Sequence, residues 1–71
     1  MTIYRVYIDY GYDGTSDIGY YRYSVSATAA MHTDAENRSI LVEYSHEDGD
    51  KEFWVESEGF YSYVIQTIGV E

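Results

Sequence analysis

Ser39–Glu58, SILVEYSHEDGDKEFWVESE, holds two strand-like runs joined at Asp48-Gly49. Asp-Gly between alternating apolar runs is a strong hairpin signal, because a type I′ loop needs positive φ at both central residues and these two types tolerate it. A two-residue loop at that point sets Tyr44 opposite Phe53, Val42 opposite Val55, and Glu47 opposite Asp50. Successive strand residues point to opposite faces. Ile40, Val42, Tyr44, Phe53 and Val55 therefore share one face, read as core, and Leu41, Glu43, Ser45, Glu47, Asp50, Glu52, Trp54 and Glu56 share the other. Moving the loop to Gly49-Asp50 changes partners but not faces, whereas a three-residue loop mismatches the two apolar sets.

Working outward, Ile3–Tyr10 alternates as a strand with Tyr4, Val6, Ile8 and Tyr10 on the candidate core face. Gly11–Asp17 (GYDGTSD) has the composition of a turn or short loop. Ile18–Val25 returns as a second strand, with Tyr21, Tyr23 and Val25 expected inward. From Ser26 the pattern changes: Ala27, Ala30, Met31 and Ala35 fall at helical spacing, with Ser26 as N-cap and Asn37 as the stop. An extended end followed by a turn at residues 33–37 is the alternative for this run, since Thr33 and Glu36 have capping-box spacing. Phe60–Val70 reads as a last strand, with Gly69 marking a bulge or a frayed end. The order β-β-α-β-β-β predicts an α+β fold, a small antiparallel sheet of four or five strands with one short helix on one face.

The 71 residues contain no proline and no break in composition, which predicts one domain over residues 1–71. Thirteen acids against four basic residues give a net charge of −9, which favours solubility and basic partners. Direct nucleic-acid binding is not expected, because Arg5, Arg22, Arg38 and Lys51 are scattered rather than clustered. Neither a signal-peptide pattern nor an apolar run long enough to span a membrane is present, so a cytoplasmic, soluble chain is expected. Ten tyrosines exceed what so small a core can satisfy at the hydroxyl, so several are expected at the surface.

No catalytic, metal or cofactor site is expected. Asp9, Asp13, Gly14 and Asp17 match some positions of an EF-hand loop, but Gly11 and Tyr20 stand where acidic ligands are needed. The chain has no cysteine, and His32 and His46 lack zinc-ligand spacing. No GxSxG elbow and no glycine-rich phosphate loop occur.

The acidic hairpin is the feature that points to function. It carries seven of the thirteen carboxylates against one lysine. Over a hairpin of roughly 27 Å this is about one charge per 4 Å, close to the roughly 3.4 Å spacing of a single nucleic-acid strand. In size, acidity and compact α+β pattern, and through EYSHEDGDKEFWVESE and the DGTSD loop, the chain resembles small bacteriophage inhibitors, anti-CRISPR proteins and DNA mimics in particular. Neither stretch is a family motif, so no residue role is carried over. The resemblance implies a non-catalytic inhibitor that occupies the basic groove of a nucleic-acid-binding effector complex. The residues expected to meet such a partner are Glu43, Glu47, Asp48, Asp50, Glu52, Trp54 and Glu56, with Asp13 and Asp17. The alternative is a small structural or accessory subunit, monomeric or homodimeric, that self-associates through tyrosine-rich sheet surfaces.

Overall fold

A computed structural model describes residues 1–57 and 61–69. Five antiparallel strands form one open sheet: β1 (Thr2–Asp9), β2 (Thr15–Tyr21), β3 (Val42–Asp48), β4 (Lys51–Glu56) and β5 (Ser62–Gly69), in the spatial order β2-β1-β5-β4-β3. One α-helix, α1 (Ser24–Asn37), lies across β1, β2 and β5. The class and the order β-β-α-β-β-β are those read from the sequence. The expected start of the last strand at Phe60, and its end at Val70, lie outside the described residues. Gly69 pairs with Thr2 in an unbroken ladder and marks no bulge.

The core forms where the helix meets the centre of the sheet. Ala27, Met31 and Ala35 recur every fourth residue and are buried, and the two alanines let the helix sit close to the sheet. Beneath them lie Val6 and Ile8 of β1 and Tyr63 and Ile65 of β5, with Tyr4, Tyr10, Ile18, Tyr21 and Trp54 packed around the margin. The face expected for β1 is therefore the observed one. Tyr23 and Val25, expected inward, are instead 64% and 77% exposed, because the strand ends at Tyr21 and the helix begins at Ser24, with Tyr23 rather than Ser26 as N-cap.

The helix stops where expected, at Asn37, by a Schellman arrangement. The Ile40 amide donates to the Ala35 carbonyl at 2.8 Å and the Ser39 amide to the Glu36 carbonyl at 3.1 Å. Ser39 takes the left-handed position at φ 57°. Asp34 ties this end of the helix to the sheet, accepting from the Tyr63 hydroxyl at 2.8 Å and from Arg38 Nε at 2.7 Å.

The hairpin forms, with its loop one residue later than the favoured reading. Asp48 pairs with Lys51 across Gly49-Asp50, so Glu47 faces Glu52, His46 faces Phe53, and Tyr44 faces Val55. Gly49 has φ 64° and Asp50 is not in the positive-φ region, which suits a type II′ loop with glycine first rather than type I′. An irregularity between Val42 and Tyr44 pairs Val42 with Glu56 and moves Val42 away from the face of Tyr44.

Candidate functional site

The side of the sheet under the helix is set by strand pairing. Trp54 of β4 lies beside Tyr63 of β5, and Glu52 lies beside Ile65. Since Tyr63 and Ile65 point into the core under α1, the face carrying Glu52, Trp54 and Glu56 is the helix face. This reverses the expectation that Tyr44, Phe53 and Val55 form the core side. Those residues lie on the face away from the helix, where Tyr44 is 56% exposed but Val64 and Tyr7, at its centre, are buried.

Trp54, expected among the partner-binding residues, is accordingly part of the half-buried margin of the core. Its ring meets His32 of α1 edge-on at 5.2 Å, and its indole N–H donates to Glu52 Oε1 at 2.7 Å. Glu56, also expected on a binding face, is buried at 9% exposure. The helix reaches only the β2-β1-β5 half of the sheet in quantity. Beside it, toward the β3–β4 loop, a cleft of about 350 Å³ remains, lined by Tyr4, Ser24, Glu47, Asp50, Glu52 and Thr67 among others.

Three of the expected partner-binding residues thus converge. Glu47 and Glu52 face each other on neighbouring strands, and Asp50 stands in the adjoining loop. Asp50 is steadied by Gln66, whose Nε2 donates to its carboxylate at 3.2 Å, while its carbonyl accepts from the Thr67 amide at 2.8 Å. Lys51 borders the cleft as well, although its pairing with Asp48 places it on the other face of the sheet. Like charges set directly opposite on a sheet are destabilising. The uncapped amino end of α1 reaches the same cleft at Ser24, and its partial positive charge offsets part of that repulsion.

The other expected residues do not join them. Glu43 falls in the irregularity of β3, and Asp48 pairs with Lys51 on the uncovered face. Asp17 is held by Arg5 on β2, at the opposite edge of the sheet, with a contact of 2.6 Å. That edge is four inter-strand spacings from β3, about 19 Å. Asp13 lies in a 3₁₀ turn at Gly11–Asp13, beyond the end of β1 that is remote from the β3–β4 loop. Of the seven carboxylates counted along the hairpin, Glu58 lies outside the described residues, and the other six are divided between two faces and a loop.

The Asp9–Asp17 segment does not gather its carboxylates either. Asp9 accepts from the Gly11 amide at 2.8 Å, and Asp17 is engaged with Arg5. Among the described residues, no group of three or more His, Asp or Glu is placed to hold a metal ion, and no helix is long and apolar enough to cross a membrane.

Sequence reasoning missed the role of Ser24, Tyr4 and Thr67 as walls of the cleft. The only available signal was that the first helical turn must lie over the start of β1, and that requires the strand order. No protein family, curated protein or solved structure matches the chain.

Proposed function

We propose that the chain is a non-catalytic acidic inhibitor that binds a basic, nucleic-acid-binding partner protein through Glu47, Asp50 and Glu52. The observation that carries this reading is the facing pair Glu47 and Glu52, with Asp50 beside it, on the walls of one cleft. The arrangement costs stability that the Trp54 indole and the amino end of α1 offset only in part, and such a cost is where function is expected. An inserted arginine or lysine would relieve the repulsion and form charge-assisted hydrogen bonds, arginine with two parallel donors.

The partner class follows from the chain's balance of −9, which suits a basic groove and disfavours nucleic acid and anionic membrane surfaces. Anti-CRISPR proteins and DNA mimics are the inhibitor types that fit, acting in the cytoplasm of a host cell. The contact is a cleft and a loop rather than a flat acidic strip, so an inserted side chain explains it better than a copy of the phosphate spacing.

The test is affinity capture from host lysate after nuclease treatment, with the recovered complex then titrated against the purified chain at rising salt. Wild type should bind with a steep loss of affinity as salt rises, and Glu47→Gln with Asp50→Asn should weaken binding at least about tenfold. Unchanged affinity in that double variant would sink the reading.

A further inference from the structure

Among the described residues β2 and β3 are the outer strands of the sheet, and their free edges differ. The ladder of β2 is interrupted at its middle, where the register shifts between Val6 and Tyr7 and leaves Ile18 with no residue opposite. The irregularity of β3 falls at its start, so Tyr44 to Asp48 are five consecutive paired residues. All five are exposed, and α1 packs mainly on the other half of the sheet.

Ladder geometry decides which backbone groups this edge offers. Asp48 and Lys51 flank the two-residue loop and so form a hydrogen-bonded pair. Such pairs alternate along an antiparallel ladder, so His46 and Tyr44 also bond to β4. The N–H and C=O groups of Ser45 and Glu47 therefore point outward, away from β4. An open edge of this kind is a template for another strand.

On the reading that the partner is a basic protein, we infer that β3 takes up an extended basic segment of that partner as a sixth, antiparallel strand, bonded at Ser45 and Glu47. Charge selects the occupant: residues 42–56 carry six carboxylates against one lysine. Two such hairpins repel each other, which disfavours a second copy at this edge, whereas a basic strand sets its charges among the carboxylates. Opposed residues of paired strands share a face. The incoming residue opposite Glu47 thus projects on the cleft side toward Glu47 and Glu52, where arginine or lysine fits. Those opposite His46 and Tyr44 project on the other side, beside the stacked rings of His46, Tyr44 and Phe53, where apolar side chains fit. Main-chain bonds supply affinity and the alternating side chains supply specificity.

The probe is the capped peptide Arg-Arg-Val-Thr-Val-Lys, whose second arginine falls opposite Glu47 and whose threonine falls opposite Ser45. Saturating peptide should slow amide hydrogen exchange at Ser45 and Glu47 at least about tenfold, with little change at His46, which β4 already bonds. N-methylation of the second arginine and the threonine keeps the peptide's charge and removes two donors, so affinity should fall at least about tenfold. Ser45→Pro should weaken binding similarly and still fold, because the lost N–H faces away from the ladder; a thermal melt checks the fold. No protection at Ser45 and Glu47 overturns the inference, as does equal affinity for plain and methylated peptide. Protection that rises with protein concentration in the absence of peptide also overturns it, since the occupant is then a second copy. Glu47→Gln with Asp50→Asn separates this inference from the proposed function. Loss of binding in that pair alone leaves the carboxylate contact standing and overturns strand addition; loss on methylation and in Ser45→Pro alone supports strand addition and removes the carboxylate contact.

Discussion

The hydroxyl of Tyr63, on the central strand, donates to Oδ2 of Asp34 on the helix at 2.8 Å, and Arg38 donates to the same oxygen from one helical turn later at 2.7 Å. Tyr63 is 1% exposed, so this bond is a buried polar tie between the two layers at the carboxyl end of α1. Burial first, and the neighbouring Asp34 carboxylate second, push the Tyr63 phenol well above its ordinary value.

Tyr63→Phe keeps the ring and removes the bond, leaving Asp34 with Arg38. Stability should fall by about 1–2 kcal/mol at neutral pH, measured by urea unfolding. The pH dependence has a definite sign. Since the phenol is raised in the folded state, its contribution is complete below the ordinary value of 10.0. It is lost as pH rises above that, where the unfolded chain ionises first. The gap between wild type and Tyr63→Phe should accordingly narrow as pH rises above about 10.

Ser39 holds the left-handed position of the Schellman stop, a conformation that a residue with a Cβ adopts at a cost. Ser39→Gly should raise stability by about 0.5–1 kcal/mol, or several degrees in thermal midpoint for a domain of this size. A midpoint below that of wild type in a thermal melt would contradict this account.

Glu47 faces Glu52, and Glu52 is already engaged by the Trp54 indole. Glu47→Gln should therefore stabilise the free chain by roughly 0.2–1 kcal/mol while weakening its hold on a basic partner. Chemical denaturation and a binding titration on the same sample read the two effects, which should have opposite signs.

Trp54 packs against the core margin and His32. Trp54→Ala should cost about 3 kcal/mol, and Trp54→Phe less. Under conditions where Trp54→Phe remains folded, its affinity for a basic partner should match that of wild type, because the indole is turned toward the protein. A large affinity loss in folded Trp54→Phe would restore Trp54 as a contact residue.

The sequence by itself determined the order and type of the elements but not every bound, since the second strand runs over Thr15–Tyr21 rather than Ile18–Val25 and the helix starts at Ser24. Tyr4, Val6, Ile8 and Tyr10 alternate as the candidate core face of β1 and do pack under the helix, and Ala27, Met31 and Ala35 leave the helix one apolar stripe. Gly49 with two acidic neighbours marks the hairpin tip, and pleat alternation separates Trp54, Glu52 and Glu47 from Tyr44, Phe53 and Val55 with either two-residue loop. These are local consequences of backbone periodicity and turn sterics.

The tertiary structure alone decided which side of that hairpin the helix would cover. Within Ser39–Glu58 the set Tyr44, Phe53 and Val55 is the more apolar, and a hairpin read in isolation buries it. The choice comes from β5, which sets Trp54 beside Tyr63 and Glu52 beside Ile65 in a register that no local pattern encodes. Once Met31 and the alanines of α1 are buried on Tyr63 and Ile65, the whole row must follow, because one continuous sheet has only two faces. That constraint turns Trp54 inward and gathers Glu47, Asp50 and Glu52 beside the helix.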